Sequence, residues 1–357
     1  MLPGWVGATV ALLILIAFTY AQFRHIGLAL VAALAPLPGQ AIVVLLHLPA
    51  QPLAYLGGFI VSLVLTSVIE TRFCDGAPAR EATALVASEM LPILAWPIAL
   101  VASATIVFAL VAREFAALWL SLAVVLCGVA ALICVPIGLR FLPYRDDFIT
   151  RANRLRERRE RWLDRLTFVV QPRWGRSVGG IALIFAVLGF FGGENSSAMG
   201  LSALPAILPI TLGLFIIFAY VTTRNMRRAL AFMLSSAVLM GMMVWTRAHI
   251  VIDPAVVLST IALAAIPALI VAGQSSAFAR AGDAVAVATL RGFEQCAVPI
   301  IFFCLAATLV LCTCGDYAAA ILIPCGGVAA LLFFPALTTA IYDVFPPRVS
   351  LDAYRVR

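Results

Sequence analysis

Three carboxylates stand at the edges of long apolar runs: Glu70, Glu89 and Glu294. Each could take up and release a proton and so couple a gradient to movement, or could sit as an interfacial charge beside Arg72, Arg80 or Arg291. The interfacial reading is favoured, because an acid at the centre of hydrocarbon is costly and one at its edge is tolerated. His25 falls on one side of the polar breaks and His47 and His249 on the other, as rim gates or as ordinary headgroup-level imidazoles. Gln274, Ser275 and Ser276 form the most polar patch next to an apolar run, where they would end a helix. The cysteines lie mostly inside apolar runs and form no CxxC pair, so they read as small hydrophobes. No HExxH, GxSxG, glycine-rich phosphate loop or histidine–carboxylate cluster occurs. Neither an enzyme nor a metal or other cofactor is expected.

The elements that position these groups are helices in lipid. Of the 357 residues 64% are hydrophobic and only 11% charged, and the mean hydropathy is +1.09. Runs of about 17 to 28 residues, each long enough to cross about 30 Å of hydrocarbon as a helix, alternate with short polar breaks. Val10 to Phe18 and Ile300 to Ala307 are apolar without alternation, which excludes porin-like strands. The breaks delimit spans at 4–22, 26–47, 52–70, 85–112, 115–140, 177–193, 201–222, 229–247, 254–273, 295–315 and 318–343. The expected fold is an all-α polytopic transmembrane bundle of about eleven helices. The first span lacks a basic leader and reads as a retained helix rather than a signal peptide.

All 24 basic residues are arginine, and the net charge is +7. With the amino terminus outside, only Arg113 and Arg247 fall on the outer side, as the positive-inside rule requires of a bacterial-type inner membrane protein with a cytoplasmic carboxyl terminus. The arginines are thus explained without nucleic acid. The longest loop, Phe141 to Arg176, reads as an arginine-rich helix in which Phe148, Ala152, Leu155, Trp162 and Leu166 form an apolar stripe. Laid on the inner leaflet, it would set Arg151, Arg154, Arg158 and Arg159 against anionic lipid headgroups with Trp162 beneath them; the alternative is a solvated connector.

A shift of 202 residues aligns Gln51-Pro52 with Asp253-Pro254, Glu81-Ala82 with Asp283-Ala284, Ala95, Pro97 and Ile98 with Ala297, Pro299 and Ile300, and Glu114-Phe115-Ala116 with Asp316-Tyr317-Ala318. The chain divides into a first five-helix repeat (1–143), the arginine-rich linker (144–176), an extra helix with a short outer loop (177–200), a second five-helix repeat (201–345) and a cytoplasmic tail (346–357). Six spans separate equivalent positions, so the two repeats run parallel, about an axis normal to the membrane. Pro92, Pro97, Pro267, Pro299, Gly57 and Gly58 are candidate kinks or gates, because such residues leave backbone groups for the bundle to satisfy. They equally permit close packing in a static bundle.

The pattern resembles the membrane domain of the resistance-nodulation-division (RND) superfamily, especially its MMPL-like and hopanoid-associated branch. The resemblance rests on Arg24 after Phe23, on Glu70 to Ala82 followed by Pro92 and Pro97, on Phe278 to Ala284 followed by Pro299, and on Phe334-Pro335-Ala336-Leu337. It implies transport of a lipid or other hydrophobic molecule. Two departures bear on that expectation: only Glu194 to Gly200 stands where a porter domain would be, and no Asp or Glu lies in 52–69 or 254–273, where the family's proton relay belongs. The alternative is a non-transporting accessory subunit whose bundle is a scaffold for a membrane partner. The partners expected are membrane lipids, with a membrane protein or a second copy of the chain as further candidates.

Overall fold

The computed structural model describes residues 4–47, 52–112, 116–142, 174–181, 204–247 and 254–345, together with 153, 154, 157, 161, 163 and 184. Among them there is no strand. The first half comprises α1 (Gly4–Phe23), α2 (Ile26–Leu34), α3 (Leu37–Leu45), α4 (Pro52–Cys74), α5 (Ala79–Ala112) and α6 (Ala116–Arg140). The second comprises α7 (Leu204–Thr223), α8 (Met226–Arg247), α9 (Pro254–Arg280), α10 (Val285–Cys314), α11 (Tyr317–Val328), a π-helical turn (Ala329–Phe333) and α12 (Phe334–Val344). Eight stretches among the described residues are long and apolar enough to cross a membrane, and the chain is a multi-pass membrane protein. Residues 174–181 are helical and begin the expected extra span; most of that span, the Glu194–Gly200 loop, His249 and the tail lie outside the described residues.

The same backbone devices punctuate both halves. After α1 the chain turns through Arg24 at φ 52°, and after α7 through Arg224 at φ 50°. Non-glycine residues rarely adopt this left-handed region, so its recurrence 200 residues apart marks equivalent turns. The following residue caps the next helix in each case: His25 Nδ1 accepts from the Leu28 amide, and Asn225 Oδ1 accepts from the Arg227 and Arg228 amides. Both α4 and α9 end in a left-handed glycine, Gly76 and Gly282, with amide-to-carbonyl bonds Ala77 to Arg72 and Asp283 to Phe278 closing the turn.

Gly76 and Gly282 are 206 residues apart, not 202. Ring packing shows the same register: Phe18 of α1 meets Phe302 of α10 edge-on at 6.4 Å, and Phe218 of α7 meets Trp96 of α5 edge-on at 6.0 Å. The first rings are 200 apart and the second 206. The expected pairings of Glu81 with Asp283 and of Pro97 with Pro299 are therefore displaced by four residues. The cause is that α9 has 27 residues against 23 in α4, while α10 has 30 against 34 in α5. Four residues are close to one helical turn and keep the same face, so the repeat pattern survives the slip.

Packing exchanges partners between the halves: α1 rests on α10 and α7 on α5, α4 on α10 and α9 on α5, and α4 meets α9 at the centre. The central pair is the most enclosed, with 89% of the α4 span and 83% of the α9 span buried against 22% for α1. Helices apolar on every side, as these are along most of their length, belong inside a bundle. Close approach is made by small residues. A Cβ on Gly58 would lie 2.6 Å from the Cys127 carbonyl oxygen of α6, and one on Gly326 of α11 would lie 2.1 Å from that of Ala264 in α9. Gly58 and Ala264 are again 206 apart, so the tight contact recurs with its glycine on the opposite helix.

Candidate functional site

Polar side chains collect in the bundle at the end where α1, α4, α7 and α9 finish, the end that carries Arg24, Arg72, Arg224, Arg227, Arg228 and Arg280. Contrary to the expectation from their polarity, residues 274–276 do not terminate a helix; α9 runs on to Arg280, and Gln274, Ser275 and Ser276 are buried inside it. Ser275 Oγ donates to the Val271 carbonyl, and Gln274 Nε2 donates to Met90 Sδ of α5 across the interface between halves. Gly292 of α10 makes room for this row of polar groups, because a Cβ there would sit 2.8 Å from the Ser275 nitrogen.

Arg228 completes the cluster, and its burial is not what its place in an arginine-rich break implies. It is 2% exposed, and its Nη1 donates to Ser276 Oγ at 2.9 Å. Its Nε and Nη2 have no hydrogen-bond partner among the described residues. The signal for burial was present as spacing: Arg228, Phe232, Ser235 and Leu239 recur at helical intervals and all are buried. Around it Asn225 Nδ2 donates to Tyr342 Oη at 2.7 Å and the Arg227 guanidinium lies 5.2 Å from the Tyr342 ring centroid.

The three candidate carboxylates occupy different settings on helices that all touch α4 or belong to it. Glu70 lies within α4, a full turn before its end, and is 5% exposed. Glu89 of α5 is on the surface, where Arg72 Nη2 approaches it at 3.3 Å. Glu294 of α10 is half-buried beside Gln295, whose Oε1 has no partner among the described residues. Register places Glu70 at the position that Ser276 has in α9, 206 residues on, and Leu28 at the position of Arg228, 200 residues on.

The proline candidates do not interrupt their helices: Pro92 and Pro97 lie inside α5, Pro267 inside α9 and Pro299 inside α10. Gly57 faces Leu263 and Val124 at 3.7 Å from where its Cβ would be, an ordinary contact, whereas Gly58 is locked against Cys127. The interruptions fall elsewhere, at Pro36 between α2 and α3 and at the π turn Ala329–Phe333, which packs on α8 and α9. Of the linker residues, Arg154 is helical and exposed; Arg151, Arg158, Arg159, Trp162, Phe148, Ala152, Leu155 and Leu166 lie outside the described residues. Leu163, which is not on the expected apolar stripe, is buried against Phe293, Ala297, Val298 and Leu331, so the linker touches the bundle there.

No family model matches the sequence, and no curated protein does. Solved structures do match. One is SecDF, a translocon-associated membrane protein from Thermus thermophilus, at a TM-score of 0.66 and 15% identity over 95% of this chain and 62% of that one. Another is SecDF in its super-membrane-facing form, at 0.65 and 14% identity over 99% of this chain and 63% of that one. At such identity the likeness shows the fold alone, which this chain shares with part of SecDF. The chain spans under two thirds of the length of the SecDF chains it matches.

Proposed function

We propose that this chain is an RND-like transport protein of the inner membrane that handles a lipid or other hydrophobic molecule, as the MMPL-like and hopanoid-associated branch does, and that it carries out no chemical transformation. Its arginine-bearing end faces the cytoplasm, the placement that the positive-inside rule favours. The observation that carries the reading is the pair of ionisable side chains kept in the bundle at the ends of the central contacts, Glu70 in α4 and Arg228 beside α9. Charged groups in such places are expensive and mark working sites more often than structural ones. A bundle serving only as a scaffold would gain stability from apolar residues at both positions. With no acid in the middle of α4 or α9, Glu70 is the protonation site if a proton gradient drives the cycle.

Reconstitution of the chain in vesicles with labelled phospholipid tests the reading. Labelled lipid is expected to cross between leaflets, and Glu70→Gln to slow it at least about tenfold, as removal of an essential proton carrier does. Absence of movement for every lipid tried, with or without a gradient, counts against transport. The second reading, an accessory subunit holding a membrane partner, is favoured by the acid-free centres of α4 and α9 and by a fold neighbour that is itself translocon-associated. A stoichiometric partner retained in mild detergent, together with immobile lipid, would select it.

A further inference from the structure

We propose that Arg228 forms the floor of a binding site for a phosphate oxyanion, between α8, α9 and α12 at the arginine-bearing end. The guanidinium is 2% exposed and Ser276 Oγ holds only Nη1. The two open nitrogens, Nε and Nη2, make up one side of the planar fork, the edge that meets two oxygens of a phosphate at once. No carboxylate pairs with Arg228 among the described residues: Asp343, the acid on α12, is engaged by Arg176, and Asp283 by Arg291. Among the neighbours Arg280 lies near enough to oppose the charge, but Tyr342, on which Arg227 stacks, offsets it. A desolvated guanidinium with two unmet donors requires an acceptor, and an anion serves best. The position adds a choice of anion: Arg228 stands in the first turn of α8, at the level where a membrane protein meets lipid headgroups, and basic pockets between helices at that level take phosphate groups. The site does not rest on the transport reading, because a bound headgroup could be cargo or a fixed component of the fold.

The test uses the full chain in nanodiscs of phosphatidylcholine, of phosphatidylcholine with phosphatidylglycerol, and of phosphatidylcholine with inorganic phosphate in the buffer. The thermal midpoint and the lipid retained in native mass spectrometry are read for each. Phosphatidylglycerol is expected to raise the midpoint and to be retained, and Arg228→Gln to cut its retention about tenfold, the scale of one charge-assisted bidentate contact. Arg228→Lys keeps the charge without the fork and is expected to lose most of the retention as well. Arg24→Gln, at the exposed arginine of the equivalent turn, should leave retention unchanged. An equal increment from inorganic phosphate alone assigns the site to the free anion rather than to a headgroup. Phosphatidylcholine carries a phosphodiester too, so the proposal is overturned by wild-type protein that retains neither lipid better than Arg228→Gln does and is indifferent to inorganic phosphate, and by undiminished phosphatidylglycerol retention in folded Arg228→Gln. An adventitious ion only, held equally by wild type and Arg228→Gln, overturns it likewise. Vesicle transport by an Arg228→Gln protein that has lost retention would separate this site from the transport reading.

Discussion

At equivalent points of one duplicated backbone the first half has Leu28 and Glu70 and the second has Arg228 and Ser276. The turns, caps and ring contacts that surround them are the same: left-handed Arg24 and Arg224, His25 and Asn225 as caps, and two edge-on aromatic pairs across the interface. Backbone geometry therefore outlasted the side chains, because a turn tolerates few residue types while a helix face in a bundle accepts any side chain whose polar atoms are met. The consequence is electrostatic. One half presents a buried acid and the other a buried base, so the two-fold arrangement of helices carries no two-fold arrangement of charge.

The packing contacts should break the comparison most strongly. Gly58→Ala places a methyl carbon 2.6 Å from the Cys127 carbonyl oxygen, and Gly326→Ala places one 2.1 Å from that of Ala264. Backbone cannot yield as a side chain does, so each is expected to lose about 3 kcal/mol. Gly57→Ala, with side-chain neighbours at 3.7 Å, should lose less than about 0.5 kcal/mol. Thermal unfolding in one detergent ranks the three. Equal behaviour of Gly57→Ala and Gly58→Ala would show that the tight contact is not where the second half, through Ala264, says it is.

Charge exchange comes next. Leu28→Arg in the wild-type background buries a guanidinium opposite Glu70, and in a Glu70→Gln background buries it opposite an amide. If positions 28 and 70 face each other as 228 and 276 do, the double-mutant cycle should return a coupling of about 2 kcal/mol. A coupling within about 0.5 kcal/mol of zero would mean that the 200 and 206 registers do not bring those faces together.

Much of this comparison was readable from the residues alone, and the part that was not has a definite cause. Spans and their breaks were legible because lipid forces long charge-free helices, and helices do start at Pro52 and Pro254 as the repeat requires. The offset was not, because four inserted residues turn a helix through just over a full revolution and return alanines, prolines and aromatics to nearly the same face. Gln274, Ser275 and Ser276 looked like a helix end because three adjacent polar residues usually are one; Gly292 lets them lie inside. Arg228 was hidden by company, one of a run of arginines that all read as solvated. The π turn at 329–333 has only Gly326-Gly327 and Pro335 near it, signals shared with helices that run straight.

The cap after the first turn provides a smaller test with a pH sign. His25 Nδ1 accepts from the Leu28 amide at 3.3 Å, and burial lowers the His25 pKa from its ordinary 6.5. A lowered folded value means that the neutral ring is the stable partner: stability is complete above pH 6.5, and falls as the pH drops below it, because the unfolded chain takes the proton first. Asn225 does the same work without titrating. His25→Asn should therefore match wild type within about 0.5 kcal/mol at pH 8 and fall less on acidification, whereas His25→Ala should lose about 1 kcal/mol at pH 8. A wild-type and His25→Asn difference that is flat from about pH 8 to about pH 5 would remove His25 from the cap.

The surface ion pairs should matter least, and they sharpen the comparison by not repeating. Arg72 of α4 reaches Glu89 of α5 at 3.3 Å, with 43% and 49% of the two side chains exposed. In the second half Arg291 of α10 reaches back to Asp283 in the turn at 2.7 Å, with 55% and 22% exposed. At a register of 206 neither pair falls on the other, so the two halves do not share an ion pair here. Exposed pairs contribute about 0 to 1 kcal/mol and are screened by salt. Arg72→Gln should thus lose less than about 0.5 kcal/mol and Arg291→Gln slightly more, since Asp283 is the better enclosed acid, and both losses should shrink in high salt. A salt-independent loss at Arg72 comparable to that of Gly58→Ala would show that the α4–α5 connection is held by charge, and that the glycine turn shared with α9–α10 does not by itself set the angle between the helices.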